Sequence, residues 1–176
     1  NWYAQGSQAG AQFGASVASA GDVNGDGYSD LAIGAYYYDD PEVNEGKIFV
    51  WYGSPTGPCV CGPINADWSV GSNQAGALLG YSFGSAGDVN GDGYGDLIAG
   101  AHSYDEAGAP DSGRAFVYLG GASGPSTTAA WWKGISQASA AFGFSVASAG
   151  DVNGDHYGDV IIGGFLWDDS TTVDAG

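Results

Sequence analysis

Short apolar runs alternate along the whole chain with segments rich in Gly, Asp, Asn and Ser, as at residues 30–35, 47–53 and 114–120. Runs of this length, rich in Val, Ile, Tyr and Trp and bounded by turn residues, predict β-strands. No stretch has the three-to-four-residue spacing of apolar positions that an amphipathic helix requires. The pattern therefore predicts an all-β fold built from many short strands.

A segment of nearly identical sequence begins at Ser16 and returns at Ser82 and Ser145, at offsets of 66 and 63 residues. A recurring offset of this size indicates repeated structural units, which bury their apolar faces only against their neighbours. We therefore expect a single repeat array over residues 1–176. Its predicted units are approximately 1–66, 67–130 and 131–176, the last one truncated.

Each complete unit contains four apolar runs separated by turn residues, and the fourth run is marked by a Trp, at Trp2, Trp68 and Trp132. Four strands that are apolar on both faces are typical of β-propeller blades stacked face to face. The sequence thus predicts about three four-stranded antiparallel blades. A closed propeller has at least four blades. We therefore expect an incomplete propeller, which is either part of a longer array or associates head to tail with other copies into a ring or filament.

The strongest chemical signal is the pattern Asp-x-Asn-Gly-Asp-x-Tyr-x-Asp, which occurs three times. Calcium takes six to eight oxygen ligands from carboxylates, amides and backbone carbonyls. Side chains at loop positions 1, 3, 5 and 9, with the backbone carbonyl at position 7, supply such a set without the His or Cys that zinc prefers. The predicted calcium ligands are Asp22, Asn24, Asp26, Tyr28 and Asp30; Asp88, Asn90, Asp92, Tyr94 and Asp96; and Asp151, Asn153, Asp155, Tyr157 and Asp159.

Three alternatives compete with this interpretation. A plain Asn-Gly hairpin turn, as at Asn24-Gly25, would leave nine Asp side chains crowded in three places without a counter-charge. Magnesium is disfavoured because it resists a cage made only of protein ligands. An EF-hand is excluded because the twelfth position, which needs a bidentate Glu, carries Ile33, Ala99 and Ile162.

The third loop departs from the other two at its sixth position. This position is Gly27 in the first loop and Gly93 in the second, but His156 in the third. We expect a positive φ there, which His adopts less easily than Gly does. The third loop is therefore predicted to bind calcium more weakly.

The charge balance is strongly acidic, with 3 Lys and Arg against 20 Asp and Glu and a formal net charge of −17. Such a chain repels phosphate backbones and anionic lipid, which disfavours nucleic-acid binding. No apolar run approaches the roughly 20 residues needed to insert into a membrane. For Cys59 and Cys61, a local disulfide and two free thiols stay equally open, since no further metal-ligating residues lie nearby.

The residues that bracket each Asp-rich loop resemble the FG-GAP repeat of integrin alpha propellers. In the first copy they are Phe13-Gly14 before the loop and Ile33-Gly34-Ala35 after it. The other copies have Leu79-Gly80 with Ala99-Gly100-Ala101, a looser match, and Phe142-Gly143 with Ile162-Gly163-Gly164, a good match. The chain departs from the family pattern by carrying Tyr36, His102 and Phe165 in place of Pro. It also has fewer than the seven repeats that close an integrin propeller.

This resemblance implies calcium ions at the outer rim of a propeller, in the loop between the first two strands of each blade. It also implies an extracellular or cell-surface setting and a role in adhesion or recognition, with a protein more than a glycan as partner. Similar repeats occur in lectins and are appended to secreted enzymes, so the family resemblance alone leaves the function open.

Catalytic interpretations fit less well. Residues 80–84 read Gly-Tyr-Ser-Phe-Gly, the pattern of a nucleophile elbow, but the same place in the other two copies is a predicted blade strand. Pairs of acidic residues suggest glycoside hydrolysis, yet they recur at the same repeat position and suit turns or cation contacts. These pairs are Asp39-Asp40, Asp105-Glu106 and Asp168-Asp169. We therefore expect no enzyme activity.

The sequence thus favours a non-catalytic, calcium-binding structural or adhesion module. The first alternative is a carbohydrate-binding propeller, in which exposed aromatic side chains stack on sugars. The competing interpretation is that the same aromatic side chains are buried in the core. The second alternative is an accessory segment of a larger secreted enzyme. The candidate sugar platforms are Tyr36, Tyr37, Tyr38, Trp131, Trp132 and Trp167.

Overall fold

The computed structural model describes residues 2–58 and 65–168, so Cys59 and Cys61 lie outside the described residues. Within these ranges the chain forms ten β-strands and no α-helix, and nothing helical there is long or apolar enough to cross a membrane. The strands are β1 (Ser16–Gly21), β2 (Asp30–Ala35), β3 (Lys47–Trp51), β4 (Trp68–Gly71), β5 (Ser82–Gly87), β6 (Asp96–Ala101), β7 (Arg114–Tyr118), β8 (Trp131–Gly134), β9 (Ser145–Gly150) and β10 (Asp159–Gly163).

The strands form three antiparallel sheets. The first contains β1 to β4 and the second β5 to β8, each in chain order, while β9 and β10 form a two-stranded third sheet. Neighbouring sheets touch through their first strands, β1 against β5 and β5 against β9. The prediction of all-β, blade-like sheets is therefore confirmed. Within the described residues the three sheets do not close into a ring.

The sheets pack face to face because successive residues of a strand point to opposite faces, and both faces are apolar. The core between the first and second sheets joins Ala32, Ile48 and Val50 to Phe83, Leu97, Ala99, Phe116 and Tyr118. The core between the second and third sheets joins Ile98, Ala115 and Val117 to Val146, Val160 and Ile162.

Two glycines allow the sheets to approach closely. A Cβ atom on Gly34 of β2 would lie 2.1 Å from the carbonyl oxygen of Gly80 in the second sheet's entry turn. A Cβ on Gly100 of β6 would lie 1.9 Å from the carbonyl oxygen of Gly143. No side chain fits at either distance, so Gly is required at both positions by the contact with the next sheet.

Each first strand ends in a register shift that turns the chain into the Asp-rich loop. The shift lies between Ser19 and Gly21 in β1 and between Ser85 and Gly87 in β5. Gly21 and Gly87 both have φ at +81°. A β-bulge with Gly in this conformation bends the strand and re-aims the chain that follows.

Strand register corrects one detail of the repeat alignment. Trp131, and not Trp132, holds the position in the second sheet that Trp68 holds in the first. Trp132 points to the other face, where the guanidinium carbon of Arg114 lies 3.9 Å from the centre of a Trp132 ring. Two adjacent Trp residues made the sequence alignment ambiguous by one position, and a shift of one residue exchanges the two faces of a strand.

Candidate metal centres

The three Asp-rich loops occupy equivalent places in the three sheets. Residues 22–29 connect β1 to β2, residues 88–95 connect β5 to β6, and residues 151–158 connect β9 to β10. The predicted ligands therefore lie at the same end of the strands in all three sheets. The ninth-position Asp is the first residue of the second strand of each sheet. These connections are much longer than the two-residue hairpin that an Asn-Gly turn would make by itself.

The first carboxylate of the first loop collects three backbone N–H groups. Asp22 Oδ1 accepts hydrogen bonds from the N–H of Gly25 at 2.8 Å and of Asp26 at 3.0 Å. Asp22 Oδ2 accepts one from the N–H of Gly27 at 2.8 Å. The loop is therefore wound around its own first side chain.

The third and fifth positions join the same network. Asn24 Oδ1 accepts the N–H of Asp26 at 3.0 Å, and Asn24 Nδ2 donates to Asp26 Oδ2 at 3.0 Å. Asp26 Oδ1 accepts the N–H of Tyr28 at 2.9 Å. The side chains predicted at positions 1, 3 and 5 are thus gathered by one short stretch of backbone.

The second and third loops repeat this network closely. The three N–H distances to Asp88 are 2.7, 3.1 and 2.8 Å, and those to Asp151 are 2.7, 3.1 and 2.8 Å. The amide-to-carboxylate bond is 2.9 Å from Asn90 to Asp92, and 3.0 Å in the third loop. The three copies therefore present the same set of oxygen donors in the same arrangement.

The ninth position ties each loop to its sheet. Asp30 is fully buried, and its Oδ2 and Oδ1 accept the N–H groups of Val23 and Gly53, both at 2.8 Å. Asp96 is bound in the same way by two backbone N–H groups, and Asp159 accepts one at 2.9 Å. Burial raises the pKa of Asp30 and of Asp96, and the N–H donors oppose that rise.

The sixth position has the positive φ expected from the sequence. Gly27 and Gly93 have φ at +89°, and His156 has φ at +75°. The His156 N–H still donates to Asp151 Oδ2 at 2.8 Å, and this bond is the main cause that lowers the pKa of Asp151. His156 therefore keeps the loop geometry at the cost of a backbone conformation that suits Gly better. Weaker binding by this loop stays a prediction.

The chemistry of the donors suits a hard, oxygen-seeking cation. Each loop offers three carboxylates, an Asn amide oxygen and a Tyr carbonyl, which is the kind of donor set that calcium takes. An ionised carboxylate has about four lone-pair sites, so Asp22 retains capacity beyond its three N–H partners. Across residues 2–58 and 65–168, no three His, Cys, Asp or Glu side chains converge as a metal cluster. Any site here would therefore depend on the amide and backbone oxygens as well.

A row of aromatic side chains lies at the opposite end of the strands. Tyr36 and His102 directly follow β2 and β6, and Tyr81 and Phe144 directly precede β5 and β9. Ring centres lie 5.3 Å apart from Tyr36 to Tyr81, and 4.9 Å apart from Tyr81 to Phe144. This aromatic row comprises Tyr37, Tyr36, Tyr81, His102, Phe144 and Phe165.

The sequence identifies the residues that replace the family's Pro but does not bring them together into this row. The repeat offset shows that Tyr81 and Phe144 are equivalent, since each follows a Gly, but it does not show that their rings meet. The row crosses all three sheets, and Tyr37, Tyr81 and Phe165 are 41%, 38% and 51% exposed.

The residues considered for catalysis have structural contacts. Ser82 Oγ accepts the N–H of Val146 at 3.0 Å, which joins the second sheet to the third. Asp40 pairs with Lys47, and Glu106 binds Arg114 through two hydrogen bonds of 2.7 Å. These contacts agree with the strand and turn roles expected for the motif and for the acidic pairs.

Comparison with known proteins places these features in a family. The sequence model of the FG-GAP repeat matches residues 13–51 and 79–118, which hold the first two loops. The third copy, for which two strands are described, is outside the matched ranges.

Three integrin alpha subunits illustrate the similarity. Integrin alpha-PS2 of Drosophila melanogaster is 33% identical over 93% of this chain and 12% of its own length. Integrin alpha-6 of Homo sapiens is 34% identical over 86% of this chain and 12% of its own length, and integrin alpha-4 of Xenopus laevis is 33% identical over 97% and 16%. The chain thus spans a small part of these relatives. It carries FG-GAP repeats and is homologous to a segment of the integrin alpha subunits.

Proposed function

We propose that this chain is a non-catalytic, calcium-binding module of an extracellular or cell-surface protein that acts in adhesion or recognition. The observation that carries the proposal is the threefold Asp-rich loop, whose hydrogen-bond distances agree from copy to copy. A simple turn needs none of the flanking carboxylates. Three bound calcium ions would reduce the formal charge from −17 to −11 and relieve the repulsion within each loop.

Calcium titration by calorimetry tests the proposal. We expect three ions per chain, and we expect Asp92→Asn to weaken binding at the second loop because the variant keeps the side-chain shape but removes a charged ligand. Glu42→Gln is the matched control, since Glu42 is an exposed acid outside the loops. A chain that binds no calcium, or an Asp92→Asn variant that binds like the control, would contradict the proposal.

The relatives support the proposed setting and class of partner. Integrin alpha subunits are the proteins that this chain resembles over most of its length, which supports an extracellular or cell-surface location and a protein partner. Calcium is abundant outside cells, so loops of moderate affinity would be filled there.

Head-to-tail association with other copies extends the same proposal. Ile161 of β10 is 61% exposed, whereas Ile98, its counterpart in β6, is fully buried against the third sheet. Val17 of β1 is 68% exposed, whereas its counterpart Phe83 is 9% exposed. The outer faces of the first and third sheets thus expose apolar positions that are buried where neighbouring sheets pack together. Head-to-tail contact with other copies would bury both faces.

Light scattering in calcium tests this association. Particles larger than the 17.7 kDa chain are expected, and Ile161→Asp should reduce their mass because a charge would be buried at the junction. Exposed Tyr3 provides the control variant Tyr3→Asp. A strict monomer in calcium would exclude association.

Carbohydrate binding is the second candidate, and the aromatic row favours it. Exposed aromatic rings in a continuous row offer apolar surface for stacking on sugars. A glycan array probed with the chain and with Tyr81→Ala distinguishes the two candidates, with Tyr3→Ala as the control. Binding that Tyr81→Ala abolishes would favour the glycan, and no binding to any glycan would remove this candidate.

A further inference from the structure

Neighbouring Asp-rich loops are joined by a hydrogen bond that recurs at both junctions. Gly95, at the eighth position of the second loop, donates its N–H to the carbonyl oxygen of Asp22 at 2.7 Å. Gly158, at the eighth position of the third loop, donates to the carbonyl oxygen of Asp88, also at 2.7 Å. Each loop is therefore bonded to the residue that begins the loop before it.

A second hydrogen bond links the same peptide group to the last carboxylate of the preceding loop. The carbonyl of Asp22 and the N–H of Val23 belong to one peptide group, and this N–H donates to Asp30 Oδ2 at 2.8 Å. The second junction is built in the same way, from Asp88 through the Val89 N–H to Asp96 Oδ2 at 2.7 Å. Because a peptide group is planar, the direction of its carbonyl fixes the direction of its N–H.

The other end of this connection is a proposed ligand of the following loop. The carbonyl of Tyr94 and the N–H of Gly95 also form a single peptide group. In this peptide group the carbonyl oxygen and the N–H point in opposite directions. The oxygen is a proposed calcium ligand, and the N–H is the partner of Asp22. Two planar peptide groups therefore connect the Tyr94 carbonyl of one loop to the Asp30 carboxylate of the loop before it.

The backbone also packs closely at both junctions. A Cβ on Gly95 would lie 3.1 Å from both the nitrogen and the oxygen of Asp22, and a Cβ on Gly158 would lie 2.8 Å from the carbonyl oxygen of Ala86. The eighth position of the first loop is Ser29, which is exposed. Gly is thus found at this position in the two loops that pack on a preceding loop.

An aromatic ring covers the fourth position of the preceding loop at both junctions. A Cβ on Gly25 would lie 2.5 Å from Cε1 of Tyr94, and a Cβ on Gly91 would lie 2.6 Å from Cε1 of Tyr157. The seventh-position Tyr therefore combines a carbonyl that is a proposed ligand of its own loop with a ring that packs on the preceding loop.

We propose that the loops bind calcium with positive cooperativity between nearest neighbours, through the peptide connection from Tyr94 to Asp30 and its copy at the second junction. This inference rests on the proposed function of the loops as calcium sites. An ion that holds the Tyr94 carbonyl orients the Gly95 N–H, which in turn orders the start of the first loop. The coupling is reciprocal, so filling the first loop favours the second by the same factor.

Electrostatics alone predicts the opposite sign. Each bound ion adds two positive charges beside the next loop, which lowers the affinity of that loop for a second cation. Positive cooperativity would therefore identify the structural connection and exclude simple charge effects.

A site-resolved titration of the full chain with calcium tests the proposal. Amide NMR signals of Gly25, Gly91 and Gly154 report the three loops separately. We expect the three loops to fill over a narrower concentration range than independent sites would. In Asp92→Asn, the calcium midpoints of the first and third loops should rise about fivefold or more, the lower range of typical couplings. The same spectra show whether the variant is folded.

A pair of variants at the eighth position isolates the connection itself. Gly95→Ser places in the second loop the residue that the first loop has, and it should raise the midpoint of the first loop because its Cβ crowds Asp22. Ser29→Gly makes the reverse change where no such contact with another loop is formed in the described residues, and it should leave all three midpoints in place. Neither change removes a proposed ligand.

The outcomes separate the two proposals. Three loops that fill independently, with neighbours unaffected by Asp92→Asn and Gly95→Ser, would overturn the coupling and leave calcium binding intact. Loops whose glycine signals do not respond to calcium at all would overturn the proposed function, and the coupling with it.

Discussion

At the scale of single residues, Glu45 combines full burial with an incomplete set of partners. Its Oε2 accepts the N–H of Asn73 at 3.1 Å, while Oε1 has no hydrogen-bond partner among the residues that the structure describes. A Cβ on Gly71 would lie 2.6 Å from Oε1, so the carboxyl group is pressed against the β4 backbone. Burial is the main cause that raises the pKa of Glu45, and the negative charge of Asp40 adds to it.

The raised pKa gives a pH dependence of definite sign. A carboxyl group whose pKa is higher in the folded state stabilises the fold below its unfolded pKa, and this contribution is lost as pH rises through the folded value. Glu45→Gln cannot ionise, so we expect its unfolding free energy relative to wild type to rise between pH 4 and pH 8. Urea unfolding of both proteins at fixed calcium concentration measures this difference. A difference that does not change with pH would show that Glu45 does not ionise with a raised pKa.

His156 gives a second prediction at this scale. Replacing it with Gly removes a side chain from the left-handed region, whose cost is about 1–2 kcal/mol for a residue with a Cβ. His156→Gly should therefore stabilise the third loop and raise its calcium affinity severalfold. The reciprocal variant Gly93→His should weaken the second loop. Calcium affinities that are unchanged in both variants would contradict the predicted weakness of the third site.

At the scale of elements, the junction between sheets is set by backbone contact as much as by side chains. Gly100 of β6 lies so close to Gly143 that an added Cβ would fall 1.9 Å from its carbonyl oxygen. Gly84 of the neighbouring strand β5 has open space, with no atom of the described part of the chain within 4 Å of an added Cβ. Two glycines of one sheet thus differ sharply in what they contribute to packing.

This contrast predicts opposite effects of the same substitution. Gly100→Ala should destabilise the chain by about 2 kcal/mol or more, since the β6 backbone would be forced away from the third sheet. Gly84→Ala should be neutral or slightly stabilising because it reduces the entropy of the unfolded chain. Urea midpoints of both variants in calcium provide the comparison, and equal losses would show that the close approach does not limit stability.

The repeat offset and the short apolar runs were sufficient to predict the all-β blades, because equivalent residues in a repeat take equivalent places. The offset does not say which surface of one unit meets the next. For this reason the aromatic row, the close contact at Gly100 and the Gly95–Asp22 bond came only from the structure. The choice between Trp131 and Trp132 needed strand register, since neighbouring residues face opposite sides.

At the scale of the whole molecule, the sheets carry different chemistry at the two ends of their strands. The three Asp-rich loops lie at one end of the strands, and the aromatic row crosses all three sheets at the other. Cations held in the loops would stiffen the junctions between sheets, because each loop is bonded to its neighbour by a hydrogen bond of 2.7 Å. Calcium would thereby fix the relative positions of the sheets that carry the aromatic row.

The thermal unfolding temperature in calcium and in chelator tests the central claim most directly. A site at a hundredfold excess of ligand over its dissociation constant adds about 2.7 kcal/mol to stability. For a chain of this size each kcal/mol raises Tm by roughly 2–4 °C, so three filled loops should raise it by more than about 10 °C, with magnesium giving less. An unfolding temperature that is the same in calcium and in chelator would mean that the loops are only turns, and would contradict the account.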